Sequence, residues 1–269
     1  MTQSHDHNHG HTHEHVPHEL EQGQGGILFF DAFSGVSGDM IVSSLLDLGV
    51  PFDVLTEAIA CLPINSGFTF ERGTRVRNGI VASSFDVHVE GAQPERHWHE
   101  IDEMIRQAAL PEAVTARARA IFRKLAEAEA SIHGVSMRDV HFHEVGAVDA
   151  IVDIVGASAL VSCIAPERIV CSPLPIGHGT IQARHGILPL PAPATVACLK
   201  GVPTYGVDLE GELVTPTGAA IVSTLADEFS RWPSMVVERT GFGSGAMEWS
   251  GRPNLLRVVL GAPWSHGVA

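Results

Sequence analysis

His141 to Gly156 reads HFHEVGAVDAIVDIVG, and the way this stretch divides decides the fold. His141 and His143 alternate with Phe142, so an extended backbone aims both imidazoles to one side and turns the phenyl ring toward a core. Further on, Val145, Val148, Ile151, Val152 and Val155 recur at helical spacing, and Asp149 and Asp153 stand one above the other on a single face of that helix. A strand end bearing two histidines thus runs into an apolar helix bearing two carboxylates. Together with Glu144, these side chains offer the mixture of imidazole and carboxylate that suits nickel, zinc or iron(II) better than magnesium or calcium. The plain alternative is a pair of surface histidines beside a solvated acidic face. The helix is otherwise almost wholly apolar through Cys163, however, and carboxylates on such a helix need partners or a cleft.

Working outward, the 269 residues carry 45% hydrophobic and 18% charged side chains, enough for a sizeable core. A formal net charge of -14 and a pI near 5.5 argue against a nucleic-acid surface. No run of apolar residues is long enough to span a membrane, and the amino terminus is histidine-rich where a signal peptide would be basic and then apolar, so a soluble cytoplasmic protein is expected. Cys61, Cys163, Cys171 and Cys198 lack metal or disulfide spacing and read as buried thiols, with Cys171 kept as a possible soft ligand.

Residues 1–26 interleave His5, His7, His9, His11, His13, His15 and His18 with polar residues and glycine, which predicts a disordered tail that gathers metal without choosing among metals. An engineered tag is the other reading, although tags are usually uninterrupted. The folded part, 27–261, opens with the strand-like Ile27–Ala32, the turn FSGVSGD, and a helix from Met40 with Asp39 as N-cap. Asp31 at the strand end, Ser34, Ser37, Asp39 and the backbone from Gly35 to Gly38 would hold a phosphate or its ion. Phe68–Val89 predicts a hairpin turning at Asn78-Gly79, with one face buried and one wet. RHWHE, at 96–100, opens a helical insert of about 95–134 that ends at Gly134; His97 and His99 either complete a metal site with His141 and His143 or cap a helix.

Ser172–Pro193 is a long Pro/Gly connection with little regular structure expected, carrying His178 between two glycines and His185 at a possible turn. ELVTPTG leads into a helix through Phe229 with Thr217 as N-cap; Thr215 and Thr217 could receive a phosphate, or simply start the helix. The last portion reads as strand, glycine turn (241–245), strand. Its alternate glycines suggest close backbone approach. Residues 262–269 form a short tail. The expectation is an α/β fold with a mixed sheet flanked by helices.

Six blocks, DAFSGVSGDM (31–40), RHWHEI (96–101), HFHEVGAVDAIVDIVG (141–156), LPIGHGTIQARHGILPLPAPAT (174–195), ELVTPTGAAI (212–221) and GFGSGAMEWSGRPNLLRV (241–258), resemble the LarC family of nickel-insertion proteins. The resemblance implies an enzyme that inserts nickel into pyridinium-3,5-bisthiocarboxylic acid mononucleotide, forming the nickel-pincer cofactor delivered to a lactate racemase-type apoenzyme. It also implies CTP with magnesium or manganese. In the family these bind a further C-terminal domain, so here either a separate CTP-binding chain supplies it as partner or this protein acts with less, and a homo-oligomer is expected as the assembly. On this reading His141, His143, His97 and His99 handle nickel, and Asp149, Asp153 or Glu144 takes the proton from the ring carbon. Two rivals stand beside it: a nickel metallochaperone or store without chemistry, and an unrelated metal-dependent hydrolase that activates water.

Overall fold

Strand β1 (Ile27–Asp31) lies inside the sheet because both of its faces are apolar. Leu28 and Phe30 join the main core with the helices, whereas Ile27 and Phe29 point the other way into a small cluster with Val170, Val259 and Met235, to which strands alone contribute. The computed structural model describes residues 20, 25–64, 67–91, 96–142 and 147–264. Most of the predicted tail therefore lies outside the described residues. Leu20, assigned above to that tail, is instead only 4% exposed and donates its N–H to the Gly49 carbonyl at 2.9 Å.

The helices and remaining strands follow from local pattern. Helix α1 (Gly38–Asp47) and helix α2 (Phe52–Ala60) come before the hairpin β2 (Phe68–Arg77) and β3 (Ile80–Val89). Its turn is Asn78-Gly79, both at positive φ, as expected for this dipeptide. The predicted alternation fails over 82–85, where all four residues of β3 are buried under α1 and a neighbouring strand; it holds only further on, where His88 is exposed beside Glu71. Then come β4 (Arg96–His97), α3 (Trp98–Gln107), α4 (Glu112–His133), a short 3-10 turn at Met137–Asp139, β5 (His141–Phe142) and α5 (Val148–Ile164). Helix α4 ends at Gly134 in the left-handed conformation, as predicted. Ile101, Ile105, Ile121 and Phe122 join the same core as α5, so the helical insert shares the main core.

Four expectations are corrected in the second half. The Pro/Gly connection after β6 (Arg168–Cys171) contains three strands: β7 (Leu174–His178), β8 (Thr180–Ala183) and β9 (Gly186–Pro189), the last two a hairpin around Arg184-His185. After α6 (Pro193–Cys198), β10 (Thr204–Glu210) pairs with β7 alone. Pro175 is accommodated because a strand with one neighbour need not donate on both sides. Helix α7 spans Pro216–Leu225 with Thr215, not Thr217, as N-cap, its hydroxyl oxygen accepting from Gly218 N–H at 3.1 Å; Phe229 belongs to strand β11 (Glu228–Phe229). Strand β12 (Met235–Ser244) runs straight through Gly241 and Gly243. A Cβ on Gly243 would meet Ser44 N at 2.7 Å, so α1 lies backbone to backbone on this strand and the glycines mark the predicted close approach. At the start of α1 the N-cap is Ser37, with Asp39 inside the first turn.

With β13 (Leu255–Pro263), the described strands form a seven-stranded mixed sheet in the order β11-β6-β1-β13-β12-β3-β2. Strands β1, β6 and β11 run parallel, and β13 is antiparallel to both β1 and β12. Strand β3 meets β12 at one registered pair, Gly243 with Ser83. No helix among the described residues is long and apolar enough to cross a membrane.

Candidate functional site

The two H-x-H motifs meet because β4 and β5 pair antiparallel, placing His97 opposite His141. The two rings lie 3.7 Å apart between centroids, and His99 follows at 5.1 Å from His97. Phe142 is buried against Phe122 of α4, which anchors β5 and leaves the His141 side exposed. The Glu100 carboxylate accepts from His97 N–H at 2.7 Å, closing the start of α3. The His97 side chain in turn faces the Glu100 backbone N–H as the other half of a capping box, so His97, with its Nδ1 buried, caps α3 as well as facing His141. His143 and Glu144 lie outside the described residues. Among the described residues no three His, Cys, Asp or Glu side chains are arranged to hold a metal as they stand.

Helix α5 carries the two carboxylates. Asp149, in its first turn, is exposed, and Asp153 lies about 6 Å further along the axis. Asp153 points at the N-terminus of α1, where only a glycine fits: a Cβ on Gly38 would come within 2.7 Å of the Asp153 Cβ. Its Oδ1 is buried and has no hydrogen-bond partner among the described residues. Burial raises the Asp153 pKa well above the usual carboxylate range, and the charges of Asp39 and Asp149 raise it further. Burial also raises Asp39, against the lowering effect of the Ser37 hydroxyl, which donates to Asp39 Oδ1. Gly38 thus makes room for a protein carboxylate.

The loop between β1 and α1 is zipped to the segment before α7. Val36 N–H donates to the Leu213 carbonyl at 2.8 Å, and Thr215 N–H returns a bond to the Val36 carbonyl at 3.1 Å. Gly35, at φ +107°, faces that same Leu213 carbonyl, and a Cβ there would fall 2.7 Å from Leu213 C. Gly35 and Gly38 therefore admit the protein's own groups where a phosphate was expected. Beside the zipper opens a cleft of about 450 Å³, lined in part by Ser37, Asp39, Thr180, Glu210, Thr215 and Trp249. Glu212 and Asn254 line it too, and no lysine or arginine does among the described residues. Such a cleft attracts cations and disfavours a triphosphate.

Of the residues singled out for a nucleotide, Ser37, Asp39 and Thr215 thus come together. Ser34 is buried and accepts from Arg252 Nε at 3.1 Å. Asp31 accepts from Arg257 Nε at 2.9 Å. His178 is exposed, 3.1 Å from Asp208, and His185 stacks near His133 of α4 at 4.9 Å between centroids. Thr217 sits in the first turn of α7, outside the cleft lining. Cys171 is fully buried, and burial pushes its thiol far above the range in which a thiolate ligand forms. Glu210, Thr180 and Trp249 were not singled out; Thr180 and Trp249 lie in motif blocks, but only folding shows which of their side chains converge.

Comparison with known proteins fits this chain to a model described as nickel insertion protein, over residues 28–267. Curated relatives named provisionally for nickel insertion include one from Geobacter sulfurreducens, 48% identical over 236 residues, covering 87% of this chain and 61% of the relative. Those from Syntrophotalea carbinolica and Syntrophobacter fumaroxidans are 47% and 46% identical over 241 and 233 residues, covering 88% and 87% of this chain and 61% and 60% of their own lengths. The chain thus spans about 60% of the length of the curated relatives it matches. No solved structure matches it.

Proposed function

Because this chain belongs to the nickel insertion protein family, we propose that it inserts nickel into pyridinium-3,5-bisthiocarboxylic acid mononucleotide. The observation that carries the reading is the pairing of β4 with β5, which gathers His97, His99 and His141, while α5, the next element in the chain, sets Asp153 against Gly38 behind the acidic cleft. Imidazoles receive the nickel ion as incoming substrate, and softer sulfur donors on the mononucleotide draw it off. Nickel bonds both thiocarboxylate sulfurs and the ring carbon between them, and that carbon gives up its hydrogen as a proton. The acceptor is a carboxylate. Asp39 faces the cleft and Asp153 stands behind it with a raised pKa, which makes the pair a stronger base than a solvated aspartate once ionised. Asp149 and Glu144 serve the transfer from histidine to carboxylate. The cleft lining does not fit CTP, so we assign CTP, with magnesium or manganese, to a domain or chain outside these residues, and the product to a lactate racemase-type apoenzyme.

The test is the double variant His97→Ala, His141→Ala. Nickel affinity, measured by calorimetry, should fall about 10- to 100-fold while circular dichroism stays unchanged. Mass spectrometry should find no nickel-bearing cofactor after incubation with the bisthiocarboxylated mononucleotide, nickel and CTP, alone or with the CTP-binding domain added. Full product formation by the double variant would overturn the assignment. Nickel binding without any product from the unaltered chain, even with that domain, would favour a metallochaperone.

A further inference from the structure

The β8–β9 hairpin stands apart from the rest of the sheet structure. Its two strands pair with each other and with no other strand among the described residues, and most of their side chains are exposed, Ile187 at 71%. A two-stranded ribbon of this kind is marginal in water unless something holds it. Its base closes where Leu190 N–H donates to the Gly179 carbonyl at 2.9 Å, and Thr180 and Ile181 beside it line part of the acidic cleft. Its tip, Arg184-His185, reaches the carboxyl end of α4. There the His185 ring lies 4.9 Å from that of His133 between centroids, with the planes at 47°. His133 occupies the last turn of α4, whose carbonyl end favours a cation. Glu129, one turn earlier on the same face, brings Oε2 to 3.2 Å from His133 Nε2, and the side chains of Glu129 and His133 are only 16% and 32% exposed.

These separations are those of ligands that share one ion. Donor atoms about 2.0–2.1 Å from a tetrahedral zinc ion lie roughly 3.3 Å from each other, and two imidazoles bound to it have centroids about 5.2 Å apart. The three side chains do not enclose an ion as they stand; His185, on an exposed turn, is the one with room to rotate. We propose that Glu129, His133 and His185 bind a divalent transition-metal ion, zinc or nickel, as a clip that fastens the β8–β9 hairpin to α4. Two imidazoles and one carboxylate suit these borderline ions and not magnesium or calcium. The clip takes no part in the insertion chemistry. It fixes the position of a hairpin that lines the cleft.

Hydrogen exchange in the full chain, read by mass spectrometry on peptides covering 180–189, tests the clip, with zinc and nickel titrated separately. The ion should slow exchange across the hairpin at least about 10-fold once it exceeds its dissociation constant about ten-fold. His133→Ala and His185→Ala should each abolish that protection and Glu129→Gln should weaken it, with circular dichroism unchanged, whereas the His97→Ala, His141→Ala double variant should keep it. The histidine-rich residues 1–18 are common to every variant, so metal held there cancels in the comparison. Whichever ion protects at the lower concentration is the one the clip takes. Exchange in 180–189 indifferent to both ions, or slowed equally in His133→Ala, would overturn the proposal. The readout needs no insertion activity, so loss or survival of insertion leaves this result standing.

Discussion

Replacing Asp153 with Asn keeps the shape of a buried side chain and removes its charge. Asp153 Oδ1 has no partner among the described residues, and burial, then the Asp39 and Asp149 charges, hold its pKa well above the usual range. The folded chain therefore keeps a proton on Asp153 at pH values where the unfolded chain, with an aspartate pKa of about 3.9, has released it. The sign follows. Stability is greatest below the unfolded pKa, declines as pH rises by up to about 1.4 kcal/mol per pH unit for this one proton, and levels off above the raised folded pKa. The Asn variant lacks that slope. Asp39 and the charges around it, Arg75 and Asp86, are common to both proteins, so the difference between the two stability curves reports Asp153 to first order. Urea denaturation at a series of pH values from about 5 to about 8 measures it. The variant should gain on the unaltered chain with each step up in pH, and it should lose nickel insertion. Parallel curves across the range would refute the reasoning, because they would mean that Asp153 titrates alike in the folded and unfolded chains.

Two further outcomes test the fold that carries the site. Gly243→Ala places a methyl group against the backbone of α1, at Ser44 N (2.7 Å) and the Met40 carbonyl oxygen, neither of which can yield; it should cost about 3 kcal/mol, read as a lower urea midpoint with unchanged slope. Thr215→Ala removes the N-cap of α7 and should cost about 1 kcal/mol, whereas Thr217→Ala should change the thermal midpoint little; equal losses would contradict the cap assignment.

Much of the fold was legible wherever the signal was local. Asn78-Gly79 fixes its hairpin, and the apolar spacing from Val114 to Ala128 fixes α4 with its terminal glycine. The misses are equally physical. Pro216 at the first helical position was the sign that Thr215, the residue before it, is the cap. Proline in 172–193 was read as irregular structure, yet two-stranded pairing tolerates it. Gly241 and Gly243 spoke correctly of close approach, but α1 supplies the approaching backbone and the chain does not turn there. For the site, the histidines and α5 carboxylates were visible as types. That His97 faces His141 rests on a pairing between segments distant in sequence, and that Gly38 makes room for Asp153 rests on two helices meeting. Neither has a local signature.

The single registered pair between β3 and β12 sets how the sheet comes apart. Strands β2 and β3 pair along their whole length, so they separate from the rest as one unit, held mainly by α1 and the Gly243–Ser83 junction. Such a unit opens at lower free energy than the strands that flank β1, and amide exchange should be fastest in β2, slower in β3 and slowest in β1 and β13. Partial unfolding then begins at the sheet margin, while β1 and the strands that flank it stay closed.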